Sequence, residues 1–188
     1  MQQLALSSEH LVNNLRSLVA VLLLILCGCT PQIPNKVSSE EYELYNAWIS
    51  QSLHRSKPKH LLIDTQTFKI DPLGPYGCGD SLHRDGIPWS QIKALHVLGD
   101  AQYSVDERQI RADMDFRAYY PGYTPLPKED ENYDLVSFSR AAFNHSRDAA
   151  LFAENSSCGG LCGAGGYVYA VKDKGGWIFR SVGCHWIS

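Results

Sequence analysis

Leu135-Val-Ser-Phe-Ser-Arg-Ala-Ala-Phe143, Ala149-Ala-Leu-Phe-Ala-Glu154, Gly166-Tyr-Val-Tyr-Ala-Val171 and Trp177-Ile-Phe-Arg-Ser-Val182 decide the fold of this chain. Each is a short, mainly apolar run bounded by turn formers, and all but Ala149–Glu154 are rich in β-branched or aromatic residues. Asn144 to Asp148 forms the first break, and Lys172-Asp-Lys-Gly-Gly176 suits a tight turn with positive φ. Consecutive short strands with short links predict an antiparallel meander. Tyr167 and Tyr169 are two apart, as are Trp177 and Phe179, so each pair projects from one side of its strand.

Working outward, Ser38-Ser-Glu-Glu41 has the pattern of a capping box and opens a predicted helix from Glu40 to Leu53. Tyr42, Tyr45, Trp48, Ile49 and Leu53 recur at three- and four-residue spacing and so share one face. That stripe reads as core packing against the sheet. His60 to Ile70 reads as a strand, Asp71 to Asp85 as a glycine-rich loop, and Pro88 as the start of a short helix. Residues 98–118 mix helical and strand spacing and carry no assignment. Tyr119 to Pro127 is an irregular loop rich in tyrosine and proline. The expected fold class is α+β, an N-terminal helix packed on an antiparallel meander in a single small domain over residues 38–188.

Composition narrows the class of function. The chain has 188 residues, 44% hydrophobic and 20% charged, with a net charge of −3, which excludes collagen, coiled-coil and acidic disordered chains. With no basic excess there is no electrostatic footprint for nucleic acid.

Leu18 to Cys27 is an unbroken apolar run of ten residues behind Arg16. A bilayer-spanning helix needs about 20 such residues. A cationic flank, a short apolar run and small residues at its end are instead the parts of a secretory signal. A buried core helix would be the alternative, but this run has no polar face. Leu26-Cys27-Gly28-Cys29 resembles the bacterial lipoprotein signal, which implies that Cys29 is acylated with diacylglycerol and becomes the new N-terminus. Cys27 fits less well, because it would put Leu26 beside the cut. An ordinary cleavable signal is the rival reading. Glu9 is out of place in a leader, which is consistent with translation beginning at Leu11 or Val12. The expected organisation is a signal peptide over 1–28, a tether over 29–37, and the domain. Thr30, rather than Asp, after the anchor implies the outer membrane, facing the periplasm.

Phe138 to Asn144, Ala149 to Ala153, Cys158-Gly-Gly-Leu-Cys-Gly163, Tyr167 to Val171 and Gly175-Gly-Trp177 resemble the C-terminal half of an uncharacterised group of bacterial exported proteins. Glu40 to Ala47 and Leu62 to Thr67 are similar to the group's first helix and strand. The resemblance implies a compact exported domain and carries no activity.

Four cysteines follow the leader: Cys78, Cys158, Cys162 and Cys184. An even number in an exported chain favours disulfides. Cys158–Cys162 with Cys78–Cys184 is the preferred connectivity, since the glycines between the first pair let the chain fold back. Cys158–Cys184 with Cys78–Cys162 is the rival. A zinc site of Cys158, Cys162, Cys184 and His185 has the right donors but poor spacing, because neighbours on a strand face opposite ways. Cys162 with His185 could be a nucleophile and base. Asp80, His83 and Asp85 fall within six residues and could bind a metal or act as acid and base; a polar surface loop is the plainer account. The glycines from Gly159 to Gly166 lack the lysine and helix start of a phosphate loop and read as a hairpin connection. No Gly-x-Ser-x-Gly is present.

The sequence thus points to a lipid-anchored cell-envelope protein without a cofactor. Its expected role is non-catalytic binding, of inhibitor, immunity or envelope-assembly type, with the membrane and a protein as partners. The alternative is a small periplasmic hydrolase or metal-binding protein using His83, Asp80 and Asp85, or His185.

Overall fold

A computed structural model of the chain describes residues 36–53, 60–74, 77–112, 115–126, 133–158 and 162–187. All belong to one compact unit, Pro34–Ser188. The leader, Cys27, Cys29 and most of the tether lie outside the described residues, and so does the proposed start site.

Helix α1 spans Ser39–Ser52. Ser38 caps it as the sequence requires: its side chain accepts from Glu41 N at 3.2 Å, and Glu41 Oε2 accepts from Ser38 N at 2.8 Å. Val37 and Tyr42 flank the cap and are both buried, which fixes the angle at which the chain enters the helix. The apolar stripe is buried. Tyr45 stacks on Phe138 with ring centroids 4.5 Å apart, Trp48 meets Phe138 edge-on at 5.5 Å, and the Tyr45 hydroxyl donates to Ser139 O at 2.7 Å.

The strands are β1 (His60–Asp64), β2 (Phe116–Tyr119), β3 (Tyr133–Phe138), β4 (Ala142–Phe143), β5 (Ala149–Ser157), β6 (Gly163–Asp173) and β7 (Gly176–Ile187). They form one sheet in the order β2-β1-β3-β5-β6-β7, with β4 paired to β5. From β3 to β7 the pairing is antiparallel, but β1 runs parallel to both β2 and β3. The fold is α+β on a mixed sheet. The predicted strand from Leu135 to Phe143 is two: Ser139, Arg140 and Ala141 leave the ladder, with Ser139 Oγ accepting from Ala153 N at 2.8 Å. β6 and β7 are about twice as long as their apolar runs, because Gly163 to Gly166 pair with β5, and His185 to Ile187 with β6, as backbone irrespective of side chain.

Residues 79–84, read as loop, form a short helix, α2 (Gly79–Arg84), and α3 follows as Trp89–Gly99. These lie over the opposite face of the sheet from α1. Phe152, Val168 and Ala170 share a core with α1, whereas Leu151, Ala153, Tyr167 and Val182 share one with Leu82, Ile92 and Leu95. Ala149 to Ala153 is therefore buried on both sides, which explains why that run has no polar alternation. Within 98–118, α3 ends at Gly99, Ser104 makes an isolated antiparallel bridge to Gln66, Glu107–Gln109 form a 3-10 turn, and β2 begins at Phe116.

Candidate functional site

The described candidates fall in three places, and the first is α2. The cluster expected there does not converge. Asp80 points to solvent. His83 Nδ1 lies 3.1 Å from Ile87 O, which fixes the proton on that nitrogen, and its ring lies on Trp89 at 4.9 Å. Asp85 turns the other way: its Oδ2 accepts from Gly183 N at 2.6 Å, and its backbone O accepts from Arg180 Nη2 at 3.0 Å. Asp85 is a clamp on β7. Among the described residues no three or more His, Cys, Asp or Glu side chains are grouped to hold a metal ion.

The second place is the disulfides. Cys78 pairs with Cys184 across 106 positions, with Cα atoms 5.8 Å apart, and Cys158 pairs with Cys162, with Cα atoms 5.2 Å apart. All four thiols are consumed. This corrects two readings: the Cys₃His zinc set and the Cys162–His185 dyad have no free sulfur, and Cys184 is held at α2, away from Cys158. The long bridge is seated by a bulge. Gly166 pairs with His185 but the next residue, Tyr167, pairs with Val182, so Gly183 and Cys184 loop out of register. Gly183 takes φ +67°, and a Cβ on it would lie 2.7 Å from Leu82 Cδ2. The position needs glycine on both counts.

The third place was not anticipated. Between α1 and the β5–β6–β7 face runs a groove of about 370 Å³ with Glu154 in its floor. Trp48, Gln51 and Ser52 form one wall, and Val168, Phe179 and Ser181 the other. Glu154 is half-buried and makes no hydrogen bond or ion pair with any described residue. Burial pushes its carboxyl up to about 7. It sits in a cross-strand row with Phe138 on one side and Gly166 on the other. A Cβ on Gly166 would lie 2.5 Å from His185 Nδ1, so the imidazole of His185 occupies the space above the glycine. The sequence signal was present: Glu154 continues the inward alternation of Ala150 and Phe152 with a charge. It was read only as the end of a strand.

Elsewhere the buried charges are paired. Glu41, read only as a capping residue, also accepts from Arg140 Nε at 2.7 Å and Nη2 at 3.0 Å, and from Ala141 N at 3.0 Å. Arg140 lies over the Tyr103 ring at 4.4 Å, and both ionic side chains are almost fully buried.

On the surface, the aromatic loop after β2 exposes Tyr120, Tyr123 and Leu126, with Tyr123 90% accessible. The turn is held by Thr124 Oγ1 accepting from Tyr120 N at 3.0 Å and by Gly122 at φ +80°. The Tyr120 hydroxyl donates to Glu107 Oε2 at 2.9 Å, which raises its pKa. No helix among the described residues is long and apolar enough to cross a membrane. The chain matches no known protein family, no curated protein and no solved structure.

Proposed function

We propose that this protein is a lipid-anchored binding domain of the bacterial cell envelope. In this reading residues 1–28 are a leader and Cys29 carries the lipid. Residues 29–37 form the tether, and 38–188 act as one domain with α1 laid on the antiparallel β3–β5–β6–β7 ladder. The protein would face the periplasm from the outer membrane and engage a protein partner without catalysing a reaction.

The observation that carries the binding role is the pinned loop from Tyr120 to Leu126. Large apolar side chains held outward by a backbone-fixed turn lose little entropy on contact, and tyrosine is enriched where proteins bind. Two disulfides support export to an oxidising compartment. A hydrolase built on His83, Asp80 and Asp85 has no support, because these side chains engage three different surroundings.

Two measurements test the reading. With Cys29→Ser, label from a radioactive fatty acid should be lost from the protein and the chain should leave the membrane fraction. Retention of both would move the anchor to Cys27, and a wild-type chain that takes up no label would remove it. A photoreactive residue in place of Tyr123 should yield one discrete adduct in intact cells, and one placed at Lys93 should yield none. Identical patterns at the two positions would refute the loop as a binding surface.

A further inference from the structure

We propose that the groove between α1 and the β5–β6–β7 face is a binding site for an organic cation, a primary ammonium or guanidinium group on an aliphatic stem, with Glu154 as its counter-ion. This is separate from the aromatic loop and does not depend on the lipid anchor.

Four observations converge. The first is that no described residue partners the Glu154 side chain. A half-buried carboxylate without a partner opposes folding, and side chains kept at such a cost mark sites that something else completes. The second is the charge around it. Trp48, Gln51 and Ser52 from α1, Phe138 from β3, Gly166 and Val168 from β6, and Phe179 and Ser181 from β7 are all neutral. Arg180 also borders the groove, but its guanidinium is turned away, over the Tyr169 ring and onto Asp85 O. His185, beyond Gly166, is the other titratable group on this row. Among the described residues the groove therefore presents one negative charge and no fixed positive one.

The third observation is the wall chemistry. Trp48 and Phe179 offer aromatic surface beside the carboxyl, which suits the aliphatic stem of an organic cation and cation–π contact with its head. A single carboxylate with aromatic neighbours lacks the six or more oxygens that calcium requires and is a poor magnesium site. The fourth is size. About 370 Å³ is at the small end of ligand cavities, enough for an amine with a short alkyl stem and too large for a bare metal ion. The carboxyl, raised to about 7, would be ionised by the arriving cation, so binding releases a proton below neutral pH.

The test uses the protein purified in detergent, titrated calorimetrically with cadaverine and, separately, with N-acetyl-lysine methylamide. The two probes distinguish a free amine from a lysine side chain as the natural source. Saturable binding of at least one is expected near pH 8. It should weaken about 30-fold by about pH 5.5, as a carboxyl titrating near 7 loses its charge. Glu154→Gln should abolish it while leaving the circular dichroism spectrum unchanged. His185→Gln should keep both the binding and its pH dependence. Three results would each overturn the proposal: no saturation by either probe up to about 10 mM, binding unchanged in Glu154→Gln, or a Glu154 carboxyl that titrates below about 5 by NMR in the free protein.

Discussion

Glu41 and Arg140 lie 99 positions apart and meet as a buried, two-pronged ion pair, and removing either half should be among the most damaging changes in the chain. Their side chains are 2% and 3% accessible, so neither can turn to water when its partner is lost. Glu41→Ala would also orphan Ser38 N and Ala141 N. Breaking a buried pair from one side costs about 3–5 kcal/mol, whereas losing an exposed helix cap costs about 1 kcal/mol. For a domain near 150 residues each kcal/mol is worth about 2–4 °C, so the melting temperature should fall by about 10 °C or more. Arg140→Met should cost a similar amount, because the carboxylate is then the stranded charge. The double variant Glu41→Gln/Arg140→Met leaves no buried charge and should be milder than the sum of its parts by about 2 kcal/mol or more. The assay is urea unfolding followed by circular dichroism, with the m-value checked for constancy. A loss of less than about 1 kcal/mol in Glu41→Ala would refute the argument, since Glu41 would then be acting only as an exposed cap.

Three further outcomes are expected. Cys78→Ser/Cys184→Ser should lower stability by roughly 2–4 kcal/mol, and Cys158→Ser/Cys162→Ser by less than about 2 kcal/mol. The second bridge closes a loop that the Ser157–Gly163 pair and the Cys158 N to Cys162 O bond already close, and chemical denaturation of the two variants compares them directly. Trp48→Ala should cost about 3–5 kcal/mol, as expected for an indole 7% accessible and set against Phe138; an unchanged urea midpoint would remove α1 from the core. Glu154→Gln should stabilise the protein at pH 8 and do little near pH 4. The wild-type carboxyl holds its proton to about 7 when folded but releases it near its ordinary value of 4.5 when unfolded. The folded state therefore binds more protons between those values, and wild-type stability falls as pH rises through that window, by at most about 3 kcal/mol. A variant whose stability tracks the wild type across that range would contradict the desolvation of Glu154.

What the sequence determined by itself is local. Ser38 and Glu41 mark the start of α1, because a cap and its reciprocal acceptor are three residues apart and need nothing else. The period of Tyr42, Tyr45, Trp48 and Ile49 identifies its inner face. The alternation and turn residues from Leu135 onward mark the strands. The spacing of Cys158 and Cys162 with glycines between them favours a local bridge, which leaves Cys78 and Cys184 for each other.

The tertiary structure decided the rest, because the deciding contacts join residues with no periodic relation along the chain. The parallel pairing of β1 with β2 and β3 depends on where the intervening chain returns, which no strand pattern encodes. A second helical layer over the far face of β5 follows from Ala149 to Ala153 being apolar on both sides, yet part of that cover, Cys78 and Leu82, reads as a glycine-rich loop. Leu82, on the helix Gly79–Arg84, packs against Gly183 so closely that a Cβ there would lie 2.7 Å from its Cδ2, a contact between residues far apart along the chain. Arg140 reads as a polar interruption within a strand until Glu41 is placed beside it. Glu154 reads as the end of a β-run until the fold closes α1 over the sheet, leaving a carboxyl without a partner among the described residues in a groove that only packing creates.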